Sequence, residues 1–124
     1  MIKLVFPLHR LPALSREEFQ AYWRETHAPL VAKHAGALGI ERYIQVHTAT
    51  TPINDGLRAS RGGPEPYDGI AELWFESEAA LAASMQTPEG AAAGRALLED
   101  ERRFIDLERS PLWIAEEHVI VGDG

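Results

Sequence analysis

Residues Ile2 to His9, "IKLVFPLH", are dense in branched and aromatic side chains and predict a strand. Pro7 within it suits an edge position or a bulge. A short loop, "LPALS", follows. Ser15 with Glu18 three residues on then forms a capping box, in which each side chain satisfies an orphan amide at a helix start. The helix places Phe19, Trp23, His27 and Leu30 on one face, with Tyr22 beside them. Pro29 biases Ala28 away from helical angles, which predicts a break or kink and a short second piece to about His34.

Leu38 to Thr48 reads as a second strand, with Ile40, Ile44 and Val46 on one side and Glu41, Tyr43, Gln45 and His47 on the other. The next twenty residues, 49–68, are rich in Pro, Gly and Asp and predict a long flexible loop. Gly69 to Phe75 is a third strand, dividing into Ala71, Leu73 and Phe75 against Ile70, Glu72 and Trp74. Ser77 caps a helix over "EAALAASMQ", and Thr87-Pro88 opens another. The latter puts Leu97, Glu101, Phe104 and Ile105 on a buried side. Ser110-Pro111 ends it, and Leu112 to Val121 predicts a last strand.

The order β-α-β-β-α(α)-β is the split βαβ pattern of an α+β, ferredoxin-like subunit: a four-stranded antiparallel sheet with helices on one face. The other face is then open. If Tyr43, Ile70, Trp74 and Trp113 lie on it, it is too apolar to face water and marks an interface or a ligand site. Two such faces closing on a two-fold axis would give a dimeric α+β barrel. One domain spans 1–124, and no internal repeat is present.

Composition narrows the function classes. The chain has 124 residues, 45% apolar and 25% charged, with a net charge of −7. No Lys/Arg cluster reads as a phosphate stripe, which argues against nucleic acid and against an anionic membrane surface. The absence of cysteine removes disulfides, thiolate metal sites and cysteine nucleophiles. No apolar run reaches membrane-spanning length, and the start lacks a signal-peptide pattern, so a cytoplasmic location is the expectation. No Gly-x-Gly-x-x-Gly follows a strand and no Gly-x-Ser-x-Gly elbow exists, so no organic cofactor is expected.

"FQAYWRETHAPLV" resembles the helix signature of the EthD family, with its aromatic pair, Arg and His-x-Pro. "GIERYIQV" and "IAELWFESEAAL" resemble that family's second strand and its third strand with the following helix. The resemblance covers nearly all of the chain except the 49–68 segment. It implies the dimeric α+β barrel and a kinship with cofactor-free monooxygenases, small lactone isomerases and polyketide cyclases. Members are often labelled oxidoreductases. In the methylmuconolactone isomerase branch a first-helix histidine and a second-strand tyrosine line the pocket. The matching positions are His27 and Tyr43. A further histidine base of that branch has no counterpart in this alignment.

The candidate catalytic residues are therefore His27, Tyr43 and Glu72. His27 is a proton carrier or a structural histidine. Tyr43 is a carbonyl-orienting donor or an aromatic wall. It faces the pocket if Ile44 and Val46 face the helices. Glu72, sharing the inner face with Trp74, is a base, an ion-pair partner of Arg42 or Arg24, or a seal of the dimer. Trp23, His47, Ile70, Trp74 and Trp113 are the candidate substrate-binding residues. His9, His47 and Glu72 would have to converge to hold a metal, and no ligand spacing supports that, so no metal is expected. His34 reads as a surface helix-end residue and His118 as part of the last strand. The two functional expectations are an enzyme moving protons or adding oxygen on an apolar aromatic, lactone or polyketide-like carbonyl compound, and a non-catalytic dimer that sequesters a hydrophobic metabolite.

Overall fold

The strand-rich start forms β1, Ile2–Leu8, and Ser15 caps α1, Arg16–Tyr22, with both hydrogen bonds of the capping box in place. A π-helical turn, Trp23–His27, leads directly into α2, Ala28–Leu38, which ends at Gly39 in the left-handed conformation (φ 72°). Then come β2 (Arg42–His47), α3 (Pro52–Arg61), β3 (Gly69–Phe75), α4 (Glu78–Gln86), α5 (Pro88–Glu101), a 3₁₀ turn (Leu107–Arg109) and β4 (Trp113–Ala115). These elements come from a computed structural model that describes residues 1–123.

The sheet order is β2-β3-β1-β4, with every neighbouring pair antiparallel. This is the ferredoxin-like arrangement that the element order predicts. The register sets the faces. Phe6 lies opposite Ala71 and Leu8 opposite Gly69, while Gln45 pairs with Ala71 and Tyr43 with Leu73. Side chains alternate strictly, so Leu4, Phe6, Leu8, Ala71, Leu73, Phe75, Tyr43, Gln45 and His47 share one face. Helices cover that face: Phe6, Leu8 and Ala71 form one core cluster with Phe19, Trp23, Phe104 and Ile105. A second cluster, Val31, Leu38, Ala93 and Leu97, joins α2 to α5.

Four expectations change. Pro29 does not break the helix. It lies in the first turn of α2, where a missing amide is tolerated, directly after the π turn that bonds Ala28 N–H to the Trp23 carbonyl. Residues 49–68 are not a featureless loop. Thr51 caps α3 through Ile53 N–H, Pro52 suits its first turn, and Gly62 (φ 61°) closes it. The last strand is short, Trp113–Ala115, so His118 and the exposed Val119–Val121 lie beyond it.

The fourth correction concerns β2. Ile44 and Val46 face away from the helices, opposite Glu72 and Ile70, and Tyr43 faces toward them. Both faces of this sheet carry apolar residues, so alternation within β2 alone does not identify the helix side.

Buried Asp68, 2% exposed, clasps the structure at the entry to β3. It accepts from the Arg10 amide (2.8 Å), the Arg10 guanidinium (2.6 Å) and Arg16 (3.0 Å). Burial pushes its pKa up, but these donors outweigh burial and hold it below the usual value. Next to it, Gly69 has no room for a side chain: an added Cβ would lie 2.8 Å from the Val46 carbonyl and overlap the Trp23 ring. Gly69→Ala should therefore cost about 1–3 kcal/mol of stability, measured by denaturant unfolding, with a change in tryptophan fluorescence from a displaced Trp23. An unchanged midpoint and spectrum would contradict this packing.

Candidate active site

Between the covered sheet face and the helices lies a cavity of about 420 Å³. That is within the usual range for a small-molecule site. Its walls are largely aliphatic and aromatic, from Leu4, Phe6 and Leu73 on the sheet to Val31 on α2 and Leu97 on α5. Small residues on α5, Gly90, Ala91 and Gly94, leave the space open. Four polar side chains reach this lining: His27, Tyr43, Arg95 and Glu101.

His27 is buried, and its ring packs at 5.0 Å centroid distance from Phe104. Its Nδ1 lies 2.7 Å from Asp100 Oδ2. The other oxygen of Asp100 accepts from the Tyr22 hydroxyl at 2.6 Å. Tyr22 and His27 are five residues apart, about 140° around a regular helix. The π turn between them inserts the extra residue that lets both reach one carboxylate. Burial lowers the His27 pKa, and the Asp100 carboxylate offsets only part of that. At neutral pH His27 is thus neutral. Asp100 takes the Nδ1–H, which leaves the Nε2 lone pair unshared.

Tyr43 accepts a hydrogen bond from Gln45 Nε2 at 2.8 Å, and the same amide donates to the Trp23 carbonyl at 2.9 Å. Burial raises the Tyr43 pKa, against the donors Gln45 and Trp23, which pull it down. His47 stacks on Trp23 (4.4 Å between centroids, 24° between planes) and bonds through Nε2 to Gln45 Oε1 at 2.8 Å.

Of the sequence-chosen residues, His27, Tyr43 and Trp23 line the cavity, and His47 supports it from behind Trp23. Glu72, Ile70, Trp74 and Trp113 lie on the opposite face of the sheet. Glu72, Ile70 and Trp74 sit there because β3 turns the small Ala71 and the apolar Leu73 and Phe75 toward the helices, and Trp113 of β4 joins them opposite Val5. Glu72 is ion-paired with Lys3 at 2.5 Å. Trp74 donates to Glu117 at 2.6 Å between the cations of Lys3 and Arg42, each 4.9 Å from its ring. His9 packs on Tyr67, so His9, His47 and Glu72 do not converge. Among the described residues no three His, Asp or Glu side chains are grouped to hold a metal.

Sequence reasoning missed Asp100, Glu101 and Gln45. Glu101 carried a signal, because the helical period put it on the buried side with Leu97 and Phe104. Its burial, reinforced by the negative charge of Asp100, raises its pKa from 4.5 to about 7. Folded Glu101 thus keeps its proton up to about pH 7, while the unfolded chain loses it near 4.5. Between those values the folded state binds more protons, so this group lowers stability as pH rises. Glu101→Gln removes that slope. Relative to the unsubstituted chain it should gain about 3 kcal/mol between pH 4 and pH 8, read by chemical denaturation. A pH-independent difference would show that Glu101 titrates normally.

No curated protein matches the chain. Among solved structures, an ethyl tert-butyl ether d (EthD) family protein from Bacillus halodurans is similar at 24% identity and TM-score 0.62, covering 95% of this chain and 99% of that one. A dimeric protein of unknown function and ferredoxin-like fold from Bacteroides fragilis aligns at 10% identity, TM-score 0.58, over 94% and 95% of the two chains. SnoaB, a cofactor-independent oxygenase from Streptomyces nogalater solved as a mutant, aligns at 13% identity, TM-score 0.56, over 98% and 97%. The family model described as EthD domain matches residues 11–108, most of the length, and the chain belongs to the EthD family.

Proposed function

We propose that the chain is a small enzyme that moves a proton on an apolar carbonyl compound, a lactone, aromatic ketone or polyketide-like molecule, without an organic cofactor. The observation that carries this reading is His27, held by Asp100 at 2.7 Å on the wall of an apolar cavity that Tyr43 also lines. The unshared Nε2 electrons of His27 take a hydrogen from the carbon beside the carbonyl. The C–H electrons pass to the carbonyl oxygen, where the Tyr43 hydroxyl stabilises the oxyanion. Asp100 stabilises the imidazolium, which returns the proton to the same or a neighbouring carbon. Apolar walls hold the body of the substrate and keep water from competing.

A second reading is supported by the likeness to SnoaB: the same carbanion would react with dioxygen as the oxidant. A third, binding without turnover, is supported by the dominance of apolar lining residues. For assembly we propose a homodimer through the open sheet face. Val46 and Trp113 are 43% and 47% exposed there, and the Bacteroides relative of the same fold is described as dimeric. Val46→Asp should convert the dimer to monomer in sedimentation velocity, and a monomeric unsubstituted chain would refute the arrangement.

Two variants test the chemistry. Exchange of α-hydrogens of a small aromatic ketone in D₂O, followed by proton NMR, should fall about 10²–10⁴-fold in His27→Ala. The rate should climb with pH through a midpoint below 6.5, because burial depresses the His27 pKa and only neutral His27 is a base. Unchanged exchange, with ligand still bound, would leave the sequestering protein as the surviving reading. Gly94 offers an independent check. An added Cβ there meets nothing within 4 Å, and the residue lines the cavity. Gly94→Leu should abolish ketone binding while keeping or raising thermal stability, since it also improves helix propensity.

A further inference from the structure

The hydrogen bonds around Gln45 have a defined direction. Its Nε2 lies 2.9 Å from the Trp23 carbonyl, which can only accept. The amide nitrogen, not the oxygen, must therefore face Trp23, and this fixes the flip state of the side chain. The same nitrogen lies 2.8 Å from the Tyr43 hydroxyl and has no lone pair to offer. Tyr43 must accept there. Gln45 Oε1 then faces His47 Nε2 at 2.8 Å, so His47 carries its proton on that nitrogen and completes the chain. His47 is itself held by its stack on Trp23. Gln45 and Trp23 both stand as donors to the Tyr43 hydroxyl, and among the described residues no hydrogen bond runs from it to an acceptor. Its proton is left free on a side chain that lines the cavity.

We propose that Gln45 is a positioning residue that makes the Tyr43 hydroxyl a hydrogen-bond donor directed into the cavity, so that the ligand must present an oxygen acceptor, a carbonyl or enolate, at that point. The proposal rests on the reading of the cavity as a binding site and adds a polarity to it. Compounds that offer only a donor gain nothing from this wall. The register of β2 makes the device local: Tyr43, Gln45 and His47 are alternate residues on one face of one strand.

The test uses acetophenone, an apolar ketone, as the probe, with its carbonyl stretch read by infrared difference spectroscopy on the full chain. In the unsubstituted protein the bound carbonyl band should lie at lower wavenumber than in an alkane solvent. Tyr43→Phe should return it to the alkane position and weaken binding about 2- to 10-fold, the loss of one neutral hydrogen bond. Gln45→Glu places an acceptor beside Tyr43 and should draw the hydroxyl proton away from the ketone, with the same return of the band. Gln45→Leu, which removes the anchor, should broaden the band and shift it part of the way back. A band unaltered by either Gln45 substitution, in variants with native circular dichroism, overturns the positioning role. Binding with no shifted band in the unsubstituted chain overturns the donor polarity alone. No acetophenone binding at all overturns the cavity reading, and this inference with it.

Discussion

A carboxylate removed from water needs partners, and Asp100 has two on a single helical segment. Tyr22 and His27 both reach it, one on each oxygen, from positions a regular helix would turn well apart. The π turn at Trp23–His27 meets that demand. Pro29 follows it in the first turn of α2, where its missing amide is tolerated. The last turn of α5 is thereby fastened to the first helix. Phe104 then packs against Phe19, Tyr22 and His27 with no exposure. Removing the carboxylate or either partner would leave a buried polar group unsatisfied, the costly side of any hydrogen-bond exchange. The tie that seats the helices also sets which nitrogen of His27 faces the cavity.

Much of the fold could be read from the chain. The capping box at Ser15 and Glu18, the Thr87-Pro88 helix start and the strand at Gly69–Phe75 each have a local cause, and each appears where that cause acts. The EthD resemblance pointed to His27 and Tyr43, and both line the cavity. The faces of the sheet were less legible. Alternation in β2 offered Ile44 and Val46 as the buried side, but an open face with apolar residues of its own removes the contrast on which alternation relies. That one ambiguity grouped Tyr43 with Glu72, Ile70, Trp74 and Trp113, from which the thickness of the sheet divides it. Asp100 and Gln45 act through partners 73 and 22 residues away in sequence. No local pattern announces such pairs. Glu101 differs, because its helical phase was informative even though its carboxylate was given no role.

The cavity owes its volume to what α5 lacks. Gly90, Ala91 and Gly94 present almost no side chain where a bundle-like helix would place leucines. Gly90 is fixed by packing, since an added Cβ would overlap the Ser84 carbonyl, whereas Gly94 faces empty space. One glycine is thus required by the joint between α4 and α5. The other is a stability sacrifice, since alanine there would be the better helix former. Such a concession in an unconstrained position is characteristic of sites kept open for use.

The alternation along β2 separates two jobs by a single residue. Tyr43, Gln45 and His47 address the interior, while Ile44 and Val46 address the outer face. Substitutions at odd positions can reshape the polar end of the cavity without touching the outer surface, and substitutions at even positions can do the reverse. A one-residue insertion or deletion exchanges the two sets outright. Length is therefore held fixed in this strand while its chemistry is free to diverge. The segment before β3, which already accommodates a ten-residue exposed helix, is where changes in length can accumulate.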